Sequence, residues 1–392
     1  MYIKREIERR FEQLQQSNTI IAVVGARQAG KTTLLKEHIK GRGAAYILFD
    51  DPDARTLFEE DVKRFERQYM ESADVTVLDE VQYCADAGAK LKYLFEHGRR
   101  MWITSSSEMI LRKEILSYLV GRVSILRLYP FSLTEFLLAR GQKELTPASA
   151  KRAVWEHALY GGYPKIVLTD DRELKTALLR DLYETMMLKD MAQAFSIEDI
   201  RGLEELARSL AINTGAVLSY ASISQRTTLS FQTIRKYLDA MEKSYLIVRI
   251  RPFFRNKNKE ITKQPKVYFV DTGLRNAVAA GVPAEVDGPL FENYVLTELL
   301  KAGFSPTYWR TKGKAEVDFV IENEGEIIPI EAKRTATRVE RSLHLFIEQY
   351  TPKRAFVVVY QDVAMVKKVL GCSVVFTGMT GLLEMLREPG KA

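Results

Sequence analysis

This 392-residue chain has little cysteine or histidine and no long apolar run. Its two cysteines, Cys84 and Cys372, stand far apart, which excludes a disulfide framework or a cysteine-rich zinc site and points to a reducing cytoplasm. Four scattered histidines argue equally against a histidine-based metal centre. No apolar run approaches the ~18 residues that a membrane span needs. The amino terminus, MYIKREIERRFEQL, is charged and helical in pattern, unlike a secretory leader. No membrane partner is expected. What remains, 46% hydrophobic and 28% charged residues with little Pro or Gly, is the composition of a folded globular chain. Its length suggests two or three domains.

Positive charge is in excess but not evenly spread. The net charge is +7, and between Arg201 and Val270 thirteen lysines and arginines face only five acids. The whole excess therefore lies in one segment, as a nucleic-acid contact would have it; a solvated basic face is the plain alternative.

The first ~135 residues alternate short apolar runs with helical patterns, as a parallel α/β sheet requires. The runs are Ile20–Val24, Ala45–Phe49, Val75–Leu78 and Met101–Thr104, with Ile125–Leu128 a possible fifth. A mostly helical stretch follows from Ser132 to about Leu210, broken by the turn Gly161-Gly162-Tyr163-Pro164. Three short helices are then expected at Leu203–Ile212, Ser219–Gln225 and Phe231–Lys243, followed by strand-like runs at Tyr245–Phe254 and Lys266–Phe269. Helix–turn–helix followed by a hairpin is winged-helix order. After a break at Gly281–Pro289, a helix and several strands make a second α/β region. The expected division is 1–200, 201–280 and 281–392.

Chemistry is carried first by Gly25-Ala26-Arg27-Gln28-Ala29-Gly30-Lys31-Thr32, between an apolar strand and a helical pattern. Glycines at 25 and 30 let the backbone curl so that its N–H groups face phosphates at a helix N-terminus. Lys31 is placed to neutralise the β- and γ-phosphates of ATP, and Thr32, with Thr33 beside it, opens the helix with a hydroxyl for Mg²⁺. The run Val75–Leu78 ends in Asp79, a second Mg²⁺ holder, and Glu80, which would polarise the attacking water. At the end of another strand, Ser106 is the candidate sensor of the γ-phosphate, with an ordinary turn as the alternative. Arg27 and Gln28 read as exposed, with no assigned role.

In the basic segment, Phe231–Lys243 is the expected recognition helix, carrying Arg235 and Lys236 outward while Ile234, Leu238 and Met241 face the core. Arg249, Arg251, Arg255, Lys257 and Lys259, with Asn256 and Asn258 among them, would lie along DNA phosphates. Packing between domains, or a protein contact, is the alternative. Further on, Glu316–Ile321 and Ile327–Lys333 read as a hairpin in which Asp318 and Glu331 project toward one point. Lys333, two residues from Glu331, shares its face. Two carboxylates and a lysine suit Mg²⁺-assisted phosphodiester cleavage; a merely charged hairpin, or a fold that only binds DNA, stays open.

Taken together, Gly25–Thr33, Leu78-Asp79-Glu80, Leu119–Arg122 with Tyr129–Phe136, the Gly161–Pro164 turn and the C-terminal acids resemble the AAA-fold P-loop ATPases of bacteria and archaea that carry an uncharacterised nuclease-like C-terminal domain. One departure is Ser105, where those proteins usually have the glycine of Thr-Gly-Ser. The resemblance implies an AAA-type ATPase joined to a winged-helix segment and a restriction-endonuclease-like α/β domain of PD-(D/E)xK type. It implies a homo-oligomer, in which Arg122 is a finger reaching a neighbour's nucleotide or a structural residue at the subunit boundary; an ordinary surface arginine is the plain alternative. It also adds Glu292 to the metal ligands, with Glu298 as a fallback. The function expected is an ATP-hydrolysing, DNA-remodelling motor coupled to a Mg²⁺-dependent nuclease. The alternative is a nucleotide-controlled DNA- or protein-binding switch with an inactive nuclease-like domain.

Overall fold

The computed structural model describes residues 2–16, 20–106, 117–142, 146–254, 264–279, 281–361 and 364–387. Five parallel strands form the first sheet: β1 (Ile20–Val24), β2 (Ala44–Leu48), β3 (Val75–Asp79), β4 (Met101–Ser105) and β5 (Val123–Arg127), in the order β2-β3-β4-β1-β5. The central three are buried along their whole length, which is why they read as unbroken apolar runs rather than alternating ones. The two edge strands are largely half-buried. β5 begins two residues before the apolar run that signalled it, because an edge strand can place Val123 and Ser124 where one face meets solvent. This order brings the carboxyl ends of β1, β4 and β3 side by side, where parallel sheets carry their ligands.

Helices dominate the described residues between 133 and 212, starting at Leu133–Ala139, where Ser132 and Glu135 form a capping box. The Gly161–Pro164 turn is wedged between three parts of the chain. Gly162 N donates to Asp271 Oδ2 (2.8 Å) and its carbonyl accepts from Phe131 N (2.7 Å). A Cβ on Gly162 would stand 2.2 Å from the Phe131 carbonyl oxygen, and one on Gly161, at φ 74°, would stand 2.0 Å from Asp271 Oδ1. The Phe131 clash is with backbone and cannot be relieved by a rotamer. Gly162→Ala is therefore expected to cost about 3 kcal/mol, the upper part of the overpacking range, measured by chemical denaturation.

The basic segment holds helices Ile200–Ile212, Tyr220–Thr227 and Phe231–Lys243, then β6 (Ile247–Ile250) paired antiparallel with β7 (Lys266–Phe269). β6 is shorter than the apolar run Tyr245–Phe254. Pro252 has no N–H for the ladder, and at this point the chain changes sheets. Tyr308 N donates to Arg251 O (3.0 Å) and Phe253 N to Tyr308 O (2.6 Å), so the end of this strand is stitched to the C-terminal sheet.

That sheet contains β8 (Thr307–Arg310), β9 (Glu316–Asn323), β10 (Glu326–Lys333), β11 (Arg354–Val359), β12 (Met365–Val369) and β13 (Cys372–Thr377), ordered β12-β13-β11-β10-β9-β8. β8, β9 and β10 run antiparallel; β11 lies parallel to β10 and to β13. Ala355, Val357 and Val359 face a cluster with Leu343, Phe346 and Ile347 of the helix Arg341–Tyr350. Phe356 and Val358 face the opposite side, in the core that also holds Leu290, Tyr294 and Leu299 of the helix Gly288–Lys301. The same core continues through Leu159, Leu206, Ile234 and Tyr268 to Ile3 and Val24, so the segments pack on one another. Among the described residues, no helix is long and apolar enough to cross a membrane.

Candidate functional site

The loop after β1 is shaped by its glycines and braced from behind. Gly30, at φ 103°, caps the helix Lys31–His38; a Cβ on Gly25 would stand 2.1 Å from the carbonyl oxygen of Leu128, just past β5. Arg5 braces the far side by donating to Ala29 O (2.9 Å) and Tyr129 O (2.6 Å). Lys31 is buried and curls over its own loop, donating to Gly25 O (2.9 Å) and Ala26 O (3.0 Å). Burial pushes its ammonium below the ordinary lysine range, against the pull of Glu80 and Asp79.

Asp79 is the hub. Its carboxylate is 1% exposed; Oδ2 accepts the Thr32 hydroxyl (2.7 Å) and the Tyr46 hydroxyl, and Oδ1 accepts the Thr104 hydroxyl. Burial, then the bond to Asp79, drives the Tyr46 phenol upward, so it stays a donor. Glu80 takes a left-handed backbone conformation (φ 60°), held by its N–H donating to Thr104 Oγ1 (2.9 Å). Its carboxylate accepts from Gln82 Nε2, which also donates to Ser106 Oγ (3.1 Å). The structure thus brings Thr32, Asp79, Glu80 and Ser106 into one network, while Thr33 is exposed on the first helical turn. Thr104, Tyr46 and Gln82 escaped sequence reading. Thr104 had a signal, a hydroxyl closing an apolar strand; Tyr46 became legible only once β2 paired with β3.

Arg27 is not an idle surface residue. Its guanidinium holds Asp190 through Nε (3.0 Å to Oδ2) and Nη2 (3.0 Å to Oδ1). The bond to Asp190 raises its pKa, against burial. Asp190 lies in the π-helical stretch Met186–Gln193, and its carbonyl accepts from Ser244 Oγ (2.7 Å), just past the helix Phe231–Lys243. The phosphate loop is therefore two bonds from the basic segment. Arg122 sits at the other end of the sheet, beside the amino end of β1, with Glu96 at 3.5 Å. It cannot serve its own loop from there.

On the helix Phe231–Lys243, Arg235 and Lys236 are exposed, and Lys236 Nζ donates to Ser196 O (3.0 Å). Arg251 is exposed. Arg249 is differently placed: Asp239 (2.7 Å) and Glu242 hold its guanidinium inside its own segment, leaving it little to offer a phosphate. Arg255, Lys257 and Lys259 lie outside the described residues.

In the C-terminal sheet, β9 and β10 pair with Phe319 opposite Ile330, which sets Asp318 opposite Glu331 on the next rung. Like charges there repel, and neighbours compensate. Ala332 N donates to Asp318 Oδ2 (2.9 Å); Lys333 Nζ lies 3.8 Å from Asp318 Oδ2 and 3.5 Å from Glu331 Oε2. Glu331 is 2% exposed, and its buried Oε2 has no closer partner than Lys333 Nζ at 3.5 Å. Burial, reinforced by Asp318 and opposed by Lys333, pushes its carboxyl up to about 7. A metal cation fits such a weakly partnered oxygen. Glu292 stands near this pair, its carboxyl raised by burial and then by Asp318, and its Oε1 accepts from Lys266 Nζ (3.1 Å) and the Tyr268 hydroxyl. Glu298, six residues on and so about 120° round the helix, accepts from Leu133 N (2.7 Å) and Lys301 Nζ (2.8 Å). The fallback ligand is thus a core residue. Among the described residues no group of three or more His, Cys, Asp or Glu is gathered as a metal cage.

Residues 17–137 match the AAA domain family. Residues 151–285 and 287–373 each match a family described only as a domain of unknown function (DUF8612 and DUF4143). An uncharacterized protein of Haemophilus influenzae is 26% identical over 81% of this chain and 83% of its own length. An uncharacterized protein of Mycobacterium tuberculosis is 27% identical over 87% of this chain and 76% of its own. Among solved structures, the Walker-type ATPase PABY2304 of Pyrococcus abyssi covers 71% of this chain and 96% of its own at 14% identity, with a TM-score of 0.47. The amino-terminal part of the chain is an AAA-type P-loop domain, with the nucleotide-binding, ATPase-like character that implies.

Proposed function

We propose that this protein hydrolyses Mg-ATP at Lys31, Thr32, Asp79 and Glu80 and couples hydrolysis to action on DNA, with a Mg²⁺-dependent phosphodiester-cleaving site at Asp318, Glu331 and Lys333. The observation that carries the first half is Asp79, reached by Thr32 from the phosphate loop and by Thr104 from β4. Mg²⁺ bound with the nucleotide would be held by Thr32 and Asp79 and supplies charge neutralisation at the β- and γ-phosphates. The loop N–H groups bind the phosphates, and Lys31 leaves the carbonyls of Gly25 and Ala26 to reach them. Glu80, fixed by Gln82 and Ser106, accepts a proton from the attacking water. In an oligomer, Arg122 would serve a neighbour's nucleotide.

The basic segment, read as a winged helix, would meet DNA through Arg235, Lys236 and Arg251, with Arg255, Lys257 and Lys259 at the wing. Arg249 supports that surface rather than contacting phosphate. For the C-terminal site, the helix Gly288–Lys301, three antiparallel strands, the helix Arg341–Tyr350 and a parallel strand follow the order of PD-(D/E)xK folds, which supports the resemblance. The buried Oε2 of Glu331, beside Asp318 and held only by Lys333 at 3.5 Å, supports one Mg²⁺ there, which would polarise a phosphodiester; Lys333 is placed to stabilise developing charge. The test is cleavage of linear, single-stranded and branched DNA in Mg²⁺, with and without ATP. Asp318→Ala should abolish cleavage and leave ATP hydrolysis intact, and Lys31→Ala should alter cleavage only where ATP is present. A second reading, a nucleotide-controlled binding switch, is favoured by the path from Arg27 through Asp190 to Ser244. DNA-stimulated hydrolysis with no cut strands from any substrate would select it.

A further inference from the structure

The acids of the C-terminal cluster fall into two groups, each around a lysine, with Arg310 Nε also 3.4 Å from Glu316 Oε2 at the edge of the second. Asp318 and Glu331 share Lys333. Glu292 and Glu316 share Lys266, whose Nζ lies 3.1 Å from Glu292 Oε1 and 2.5 Å from Glu316 Oε1. Lys266 is not part of the C-terminal sheet; it opens β7, in the hairpin that closes the basic segment. Its side chain is 3% exposed and runs between two rings, with Nζ 5.6 Å from the Tyr308 centroid and 6.0 Å from that of Tyr268. The Tyr268 hydroxyl donates to the same Glu292 oxygen. Burial alone would lower the Lys266 pKa, but Glu292, Glu316 and Asp318 outweigh it and hold the ammonium charged.

The two halves therefore offer different things to an incoming metal ion. Beside Asp318, the buried Glu331 Oε2 has only Lys333 at 3.5 Å, whose side chain is 35% exposed and can swing to solvent. At Glu292, Oε1 is already saturated by an ammonium and a phenol. A divalent ion entering between Glu292 and Glu316 would leave Lys266 buried and unpaired, or would have to expel it from between the tyrosines, and stranding a buried charge is strongly unfavourable.

We propose that Lys266 is a built-in cation that fills the Glu292–Glu316 half of this cluster, so that the site takes a single divalent metal ion, at Asp318 and Glu331, and Glu292 is kept from ligating. This rests on the metal site proposed above and assigns its stoichiometry. It also places a side chain of the basic hairpin inside the acidic cluster, so a shift of that hairpin would change the field at the metal.

The experiment uses the nucleotide-free full-length chain with Mn²⁺ as the probe, followed by calorimetry and by electron paramagnetic resonance. One Mn²⁺ per chain is expected, with the signal of an isolated ion, lost in Asp318→Asn. Glu292→Gln and Glu316→Gln should each leave one Mn²⁺ bound, with a change in its dissociation constant below the roughly tenfold that loss of a ligand or its supporting partner costs. Lys266→Met should admit a second Mn²⁺ and broaden the signal by coupling between the ions; if that variant does not fold, the two glutamine variants decide. Two ions in the wild type, or a loss of about tenfold or more in affinity on Glu292→Gln, would overturn the proposal. No bound Mn²⁺ in the wild type would instead sink the metal site itself, and this inference with it.

Discussion

Asp79→Asn is expected to slow Mg²⁺-dependent ATP hydrolysis by about 10²- to 10³-fold, the cost of losing one preorganised electrostatic contact at the reacting phosphate. Three hydroxyls, of Thr32, Tyr46 and Thr104, donate to this carboxylate, and an amide keeps only one acceptor oxygen for them. Hydroxyls rotate, so the fold should survive and the loss should appear in chemistry. Thr104 carries the effect further, because the same hydroxyl oxygen accepts the backbone N–H of Glu80. If Thr104 turns away, the left-handed conformation of Glu80 loses its anchor. The check is kcat against Mg²⁺ concentration, with nucleotide affinity measured separately. A fall within about threefold at saturating Mg²⁺ would mean that Asp79 does not act on the reacting charge.

Glu298→Ala is expected to lower stability by about 3–5 kcal/mol, as removal of one partner of a buried ion pair does. Its side chain is fully buried, Lys301 beside it is 5% exposed, and its Oε2 satisfies the N–H of Leu133 at the start of a helix. Burial pushes the Glu298 carboxyl up, while Lys301 and that backbone bond hold it down. Truncation leaves the Leu133 amide without its acceptor and Lys301 with only the Phe131 carbonyl (3.0 Å) and no counter-charge, so the two losses compound. Glu298→Gln keeps an acceptor for Leu133 and should recover part of the stability. Denaturant unfolding of the three proteins checks this. An alanine variant as stable as the wild type would show that the helix Gly288–Lys301 is not pinned to the amino-terminal region by this contact.

The first sheet was legible because parallel strands, buried on both faces, announce themselves as short apolar runs, and Gly25–Thr32 follows one of them directly. The hubs were less legible. Tyr46 reaches Asp79 across a strand pair 33 residues apart in sequence, and Arg27 reaches Asp190 over a separation of 163; no local pattern encodes either. Arg27 looked solvent-exposed because a charged residue in a loop usually is, yet a partner from a later helix half-buries it. Asp318 and Glu331 could be paired from strand alternation alone. Glu292 could not be placed, because its competitor, Lys266, comes from a different segment. β12 and the helices Thr272–Val278 and Met379–Arg387 had no counterpart in the sequence reading. β12 alternates half-buried and exposed positions and carries Lys367 and Lys368, the guise of an edge strand, which resembles a polar loop.

The most direct test is steady-state ATP hydrolysis by the full-length protein, with and without Mg²⁺, beside Lys31→Ala. Mg²⁺-dependent turnover in the wild type that falls by about 10²-fold or more in Lys31→Ala is the predicted result. Turnover independent of Mg²⁺, or equal in the two proteins, would contradict the assignment of Lys31, Thr32 and Asp79 as the hydrolytic site.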